Sequence, residues 1–243
     1  MNPDWHALIP WFAVVAMLYG TVGHGGASGY LAVMALASVA PESMRPVALV
    51  LNVVVSAIGT VVFFRAGHFT GQLFWPFALS AAPWAWVGSR MTLPDPAFKW
   101  LLALCLALAA VRLIWNPSHQ PSLRRAPWQA IVLFGGIIGL ISGLIGVGGG
   151  ILLTPLLLLC RWASPQTAAA VSAPFILMNS ATALLGQATS TSALPHALPW
   201  LILAVSAAGW TGARWGGRLA RPDRLKGALA VVLAIAALKL GIT

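Results

Sequence analysis

An imidazole in the middle of a long apolar run is the first group in this chain whose chemistry asks for an explanation. His24 stands within Gly20-Thr21-Val22-Gly23-His24-Gly25-Gly26. An ionisable residue at membrane depth marks a substrate or ion path by default. An imidazole titrates near neutrality, so His24 can donate to an anion or take up a coupling proton. The structural alternative is a neutral ring bonded to a carbonyl freed where the glycines interrupt a helix. The glycines Gly23, Gly25 and Gly26, and in a second run Gly146, Gly148, Gly149 and Gly150, leave backbone amides open to approach. Amide N–H groups at a helix start form a ready anion site. Close packing of small residues between helices is the competing explanation, but Gly-x-Gly-Gly is denser than packing requires, and it occurs twice. Asn52 and Asn179 lie within apolar segments. A buried amide must find partners, on another helix or on a substrate. Ser28, Thr182, Ser142 and Ser172 offer further donors, although hydroxyls in helices commonly bond back to their own backbone. The candidate substrate-binding set is therefore Gly23, His24, Gly25, Gly26, Ser28, Asn52, Gly146, Gly148, Gly149, Gly150, Asn179 and Thr182.

The elements that position these residues follow from composition. Of 243 residues 59% are hydrophobic and 7% charged, against about 25% charged in soluble domains. Too few polar groups remain to cover a soluble surface. Apolar blocks run over 7–40, 47–64, 73–88, 98–115, 129–160, 168–188, 197–213 and 225–242, most of them near the ~20 residues a membrane helix needs. They show no apolar/polar alternation, so the fold class is all-α, a polytopic membrane protein, because backbone groups in lipid must be satisfied within the segment or in a closed barrel.

The chain reads as one unit written twice. Gly20 to Gly26 matches Gly143 to Gly149, with glycines in step at four positions. Downstream, Pro41 pairs with Pro165, Asn52 with Asn179, Gly59 with Gly186, Trp86 to Arg90 with Trp210 to Arg214, Lys99 with Lys226, and Arg112 with Lys239. The expected division is a first repeat over 1–116, a linker over 117–127 and a second repeat over 128–243. Each repeat opens with a block of more than thirty residues. As one helix it would reach roughly 45–50 Å at 1.5 Å per residue, against a hydrocarbon core of about 30 Å. Clustered glycines, each costing roughly 1 kcal/mol in a helix, favour a break into two arms that dip in and return on the same side. Three further crossings would then invert one repeat relative to the other, a recurring transporter plan.

At these residues the chain resembles the sulfite exporter TauE/SafE family of membrane permeases. The second copy, Gly143 to Pro155, fits the family's Gly-x-Gly-Gly-Gly element and its aliphatic run with a proline. The first copy departs, with Ala27 at the third glycine, His24 before the pair and no proline following. The resemblance implies an inner-membrane carrier of sulfur-containing anions such as sulfite or organosulfonates, often exporting, with the glycine runs at its site.

The net charge of +10 does not point to nucleic acid. The basic residues sit in short connections, Arg124 and Arg125 in the centre and Arg214 to Lys226 near the end. That is the signature of cytoplasmic loops, and it places both connections in the cytoplasm. The expected location is the bacterial inner membrane, multi-pass, with lipid and a small anion as partners; a homodimer is compatible with the sequence. Cys105 and Cys160 make no metal-ligand spacing, and neither metal nor cofactor is expected. Two other classes compete. Gly26-Ala27-Ser28-Gly29 matches the nucleophile signature of rhomboid-type intramembrane serine proteases, which need a histidine base within reach; a channel can share the same fold.

Overall fold

The computed structural model describes residues 4–21, 23–114, 123–187, 194–216 and 223–242. Ten helices and no strand occur among the described residues: α1 Trp5–Gly20, α2 Ala27–Leu36, α3 Pro41–Arg65, α4 Gly71–Arg90, α5 Asp95–Ile114, α6 Trp128–Ile145, α7 Gly150–Leu159, α8 Pro165–Gly186, α9 Leu198–Gly216 and α10 Asp223–Ile242. The two long opening blocks each divide at their glycines, so eight apolar blocks become ten helices. The chain between Trp115 and Ser122, most of the expected linker, lies outside the described residues. α3 begins at Pro41 rather than near residue 47. Proline at the first helical position loses no hydrogen bond, and the polar start Glu42-Ser43 suits an interfacial first turn. All four acids stand at helix starts: Asp4 caps α1 by accepting from His6 N–H at 3.0 Å, Glu42 opens α3, Asp95 opens α5 and Asp223 opens α10. Negative charge is favoured there by the helix dipole.

Among the described residues, three helices are both long and apolar enough to cross a membrane on those two criteria alone, Pro41–Arg65, Trp128–Ile145 and Pro165–Gly186. The outer surface agrees. Large apolar side chains such as Trp11, Leu79, Trp100, Leu133, Leu185 and Trp200 stand exposed, which suits lipid and not water.

Both opening blocks double back. In the first, the Phe12 ring stacks on that of Tyr30, centroids 5.2 Å apart. A continuous helix would hold these two residues about 27 Å apart at 1.5 Å per residue. In the second, Arg124 N–H, ahead of α6, donates to Arg161 C=O, behind α7, at 2.8 Å. The two ends of that hairpin therefore lie together. Each short arm closes the same way: Ser38 (φ 56°) and Arg161 (φ 59°) are left-handed. Val39 N–H returns to Met34 C=O and Trp162 N–H to Leu157 C=O, the bond pattern that ends a helix at a left-handed residue.

The long arms cross over to the other set of five helices. α1 packs on α9 and α6 on α4, through glycines that let backbones touch. A Cβ on Gly20 would stand 2.7 Å from Gly209 O, and one on Gly212 would run into Met17 O; likewise Cβ atoms on Gly88 and Gly143 would run into Leu140 O and Ala85 O. At these positions the small-residue packing explanation holds. The repeat extends to the rims, where Arg90 lies 4.1 Å over the Trp86 ring and Arg214 3.9 Å over that of Trp210.

Candidate functional site

The breaks are built by backbone conformations that only glycine adopts freely. In the first, Gly23 (φ 75°) and Gly26 (φ 93°) are left-handed; in the second, Gly146 (φ 84°), Gly148 (φ 76°) and Gly149 (φ 79°) are. Gly26 and Gly149 are the N-caps of α2 and α7, and neither supplies a side chain to the first turn. Depth follows from length. The ten residues of α2 and of α7 each measure about 15 Å, half of a ~30 Å hydrocarbon core. The far end of α2 carries an interfacial marker, Lys239, whose ammonium donates to Ala35 O (3.0 Å), Leu36 O (2.9 Å) and Ser38 Oγ (3.0 Å). The far end of α7 carries exposed Arg161. Each glycine break thus lies about half a hydrocarbon thickness from a helix end marked by a cation.

The two breaks close on the same two side chains. A Cβ on Gly25 would run into Asn52 Oδ1 and stand 3.1 Å from Ile176 Cγ2. One on Gly148 would run into Asn52 Nδ2, 2.7 Å from Ser180 Oγ and 3.1 Å from Ile176 Cγ2. Since Gly25 and Gly148 are repeat equivalents, the geometry exchanges Asn52 with Ile176. The sequence pairing of Asn52 with Asn179 is displaced by about a turn: Asn52 is eleven residues after Pro41, and Asn179 fourteen after Pro165. Asn52 reaches across the molecule. Its Oδ1 accepts from Ala27 N–H at 3.3 Å, satisfying an amide at the start of α2, and its Nδ2 donates to Ser180 Oγ at 2.8 Å.

Asn179 lies beside Gly149, whose added Cβ would stand 2.9 Å from Asn179 Nδ2. It is 1% exposed, and neither its Oδ1 nor its Nδ2 has a hydrogen-bond partner among the described residues. His24 is buried, and its Nε2 is 2.9 Å from Thr154 Oγ1, itself 2.8 Å from Ser172 Oγ. A buried polar chain therefore runs from the first break through α7 to α8. Ser28 Oγ pairs with Tyr19 OH at 2.6 Å, a phenol where the protease reading needs an imidazole. Thr182 bonds back to Met178 O at 2.8 Å. Gly23 faces Phe63 and Ala169, Gly26 faces Tyr30, and Gly146 faces the Arg45 backbone, so these three shape the turns, while Gly25, Gly148 and Gly150 all face Ile176 and Gly149 faces Asn179.

Sequence reasoning did not single out Arg45, Thr154 or Ser180. Arg45, half-buried, donates through Nη2 to Ser89 O and Gly143 O at 3.0 Å each and through Nη1 to Met91 O at 3.3 Å. With its amide oxygen turned to the guanidinium, Gln187 accepts from Nη2 and Nε at 3.1 Å. Arg45 thus ties α3 to the ends of α4, α6 and α8. An arginine nineteen residues past the first glycine break, on the far side of a proline, gave no periodic signal.

A protein-family model described as sulfite exporter TauE/SafE matches residues 8–240. A curated protein of Sinorhizobium fredii, described as a probable membrane transporter, is 38% identical over 234 residues, which are 94% of this chain and 95% of that protein. No solved structure matches. With helices doubled back at their glycines and a surface made for lipid, the chain belongs to the sulfite exporter TauE/SafE family and is a multi-pass membrane transporter.

Proposed function

We propose that the protein carries small sulfur-containing anions, of the sulfite or organosulfonate class, across the bacterial inner membrane, in the export direction and by alternating access. The observation that carries this reading is the meeting of two helix starts, α2 and α7, at one depth and against the same pair of side chains, Asn52 and Ile176. Two such starts favour negative charge, and no acid approaches them, since all four stand at outer helix ends. Hairpins rather than crossings also reconcile the charges. From a cytoplasmic linker, a hairpin α6–α7 followed by crossings α8 and α9 returns the chain to the cytoplasm at the second basic connection. A straight α6–α7 crossing would put that connection outside, against the rule that orients membrane proteins. The same count makes 1–116 and 128–243 inverted repeats, the plan of carriers with midplane sites.

The test is flux in liposomes loaded with sulfite, thiosulfate, taurine or sulfoacetate. Saturable, ion-coupled movement of one of these is the expected result. If none moves, the substrate class is wrong; unsaturable flux would indicate a channel.

A further inference from the structure

Asn52 and Asn179 look alike in sequence and are opposites in the structure. Both ends of the Asn52 amide are occupied by the protein, on Ala27 N–H and on Ser180 Oγ. Asn179 is as deeply buried, yet neither end of its amide is paired among the described residues. A buried donor and acceptor left unpaired are costly, and a ligand that supplies both recovers that cost. The amide stands beside Gly149, where α7 begins. The first amides of a helix point away from it without intrahelical acceptors, and Gly149 offers no side-chain cap. At the equivalent start of α2, Asn52 already fills that role.

We propose that the substrate is hydrogen-bonded at the second glycine break and bound as a hydrogen oxyanion: a singly charged sulfur oxyanion keeping one O–H, of the bisulfite type. The α7 amides and Asn179 Nδ2 donate to its anionic oxygens, and Asn179 Oδ1 accepts its hydroxyl. This rests on the anion-carrier reading above. A carboxamide presents a donor and an acceptor side by side, which suits a ligand carrying both. A dianion would bring a second lone pair against Oδ1. A helix start offers only about half a positive charge, and the guanidinium of Arg45 is committed to carbonyl oxygens at the ends of α4 and α6. Ile138, Phe175 and Ile176 close the surroundings with hydrocarbon, which further disfavours a double charge. Asn52 is then a positioning residue that fixes the two breaks together.

The test is calorimetric binding to the purified full chain in nanodiscs. Sulfite is titrated below and above its second ionisation, alongside methanesulfonate (equal charge, no hydroxyl) and sulfate (a dianion). Wild-type protein should bind sulfite at least ~10-fold tighter than methanesulfonate. Its affinity for total sulfite should fall about tenfold per pH unit above that ionisation, and sulfate should not compete. Asn179→Leu should weaken sulfite binding roughly 10- to 150-fold, the loss expected for a hydrogen bond to a charged group, and bring sulfite and methanesulfonate within a few-fold of each other. Asn179→Ala, which removes the amide and leaves space in its place, gives a second variant and should lose the same preference for sulfite over methanesulfonate. Methanesulfonate bound as tightly as sulfite, or wild-type affinity in both Asn179 variants, overturns this inference and leaves the anion carrier standing. A wild-type protein that binds none of the anions overturns both.

Discussion

Replacing Arg45 by alanine removes one guanidinium from four helix ends at once. Two of its bonds, to Ser89 O and Gly143 O, are 3.0 Å long; the one to Met91 O, at 3.3 Å, is weaker. Hydrogen bonds to charged groups contribute about 1.5–3 kcal/mol each. Because Arg45 is half-buried, the lower figure applies, and two such bonds give about 3 kcal/mol in total. Lysine should recover less than half, since a single ammonium cannot span carbonyls on α4 and α6 as a planar fork does. The assay is reversible unfolding by SDS in mixed micelles, comparing wild type, Arg45→Ala and Arg45→Lys. The Gly143 carbonyl lies one turn before the second break, so a loosened α6 should also slow transport in proteoliposomes. Unfolding free energies within ~0.5 kcal/mol of wild type for both variants, the usual range for an inert surface change, would refute the role of Arg45 as a tie between these helices.

Gly149→Ala and Gly67→Ala separate strain from site. Both residues are left-handed (φ 79° and 77°), but only Gly149 has neighbours, Asn179 Nδ2 at 2.9 Å from an added Cβ and nothing within 4 Å at Gly67; Gly67→Ala should lose about 1–2 kcal/mol by strain alone, Gly149→Ala should lose more by crowding, and only Gly149→Ala should lose flux per folded molecule. Thr154→Val, which cuts the bridge between His24 and Ser172, should cost about 1–3 kcal/mol, with Thr154→Ser restoring stability in the same unfolding assay. In a background lacking Cys105 and Cys160, single cysteines at exposed Ala40 and Gln166 should react with an impermeant maleimide from opposite sides; labelling from one side would exclude inverted repeats.

Composition and block length were enough to read a helical membrane protein and to place the breaks, because four glycines in seven residues conflict with a thirty-residue helix. The direction of each hairpin was legible only as an argument from length. Its proof lies in contacts such as Phe12 on Tyr30, between residues eighteen apart whose meeting no local pattern encodes. The asparagines misled by a turn. Aligning identical letters set Asn52 against Asn179, whereas the glycines each contacts set Asn52 against Ile176, a residue with no chemical likeness to it. Hydrogen bonding makes the difference between the two asparagines, and partners such as Ala27 and Ser180, at distances of 25 and 128 residues along the chain, leave no trace in spacing.

The exchange of long arms has a consequence for synthesis. α6 finds its partner α4 already in the membrane when it emerges. α1 does not: the glycine it packs against, Gly209, follows Gly20 by nearly the whole chain. At ~5–20 residues per second, the interval of about 190 residues lasts roughly 10–40 s. For that time the first hairpin waits in the bilayer with its backbone notch at Gly20 unfilled and α2 without the Lys239 that later ties its end. The first half written is thus among the last to be locked, and a ribosome that stalls before α9 leaves behind a hairpin with an open seam for quality-control proteases to find.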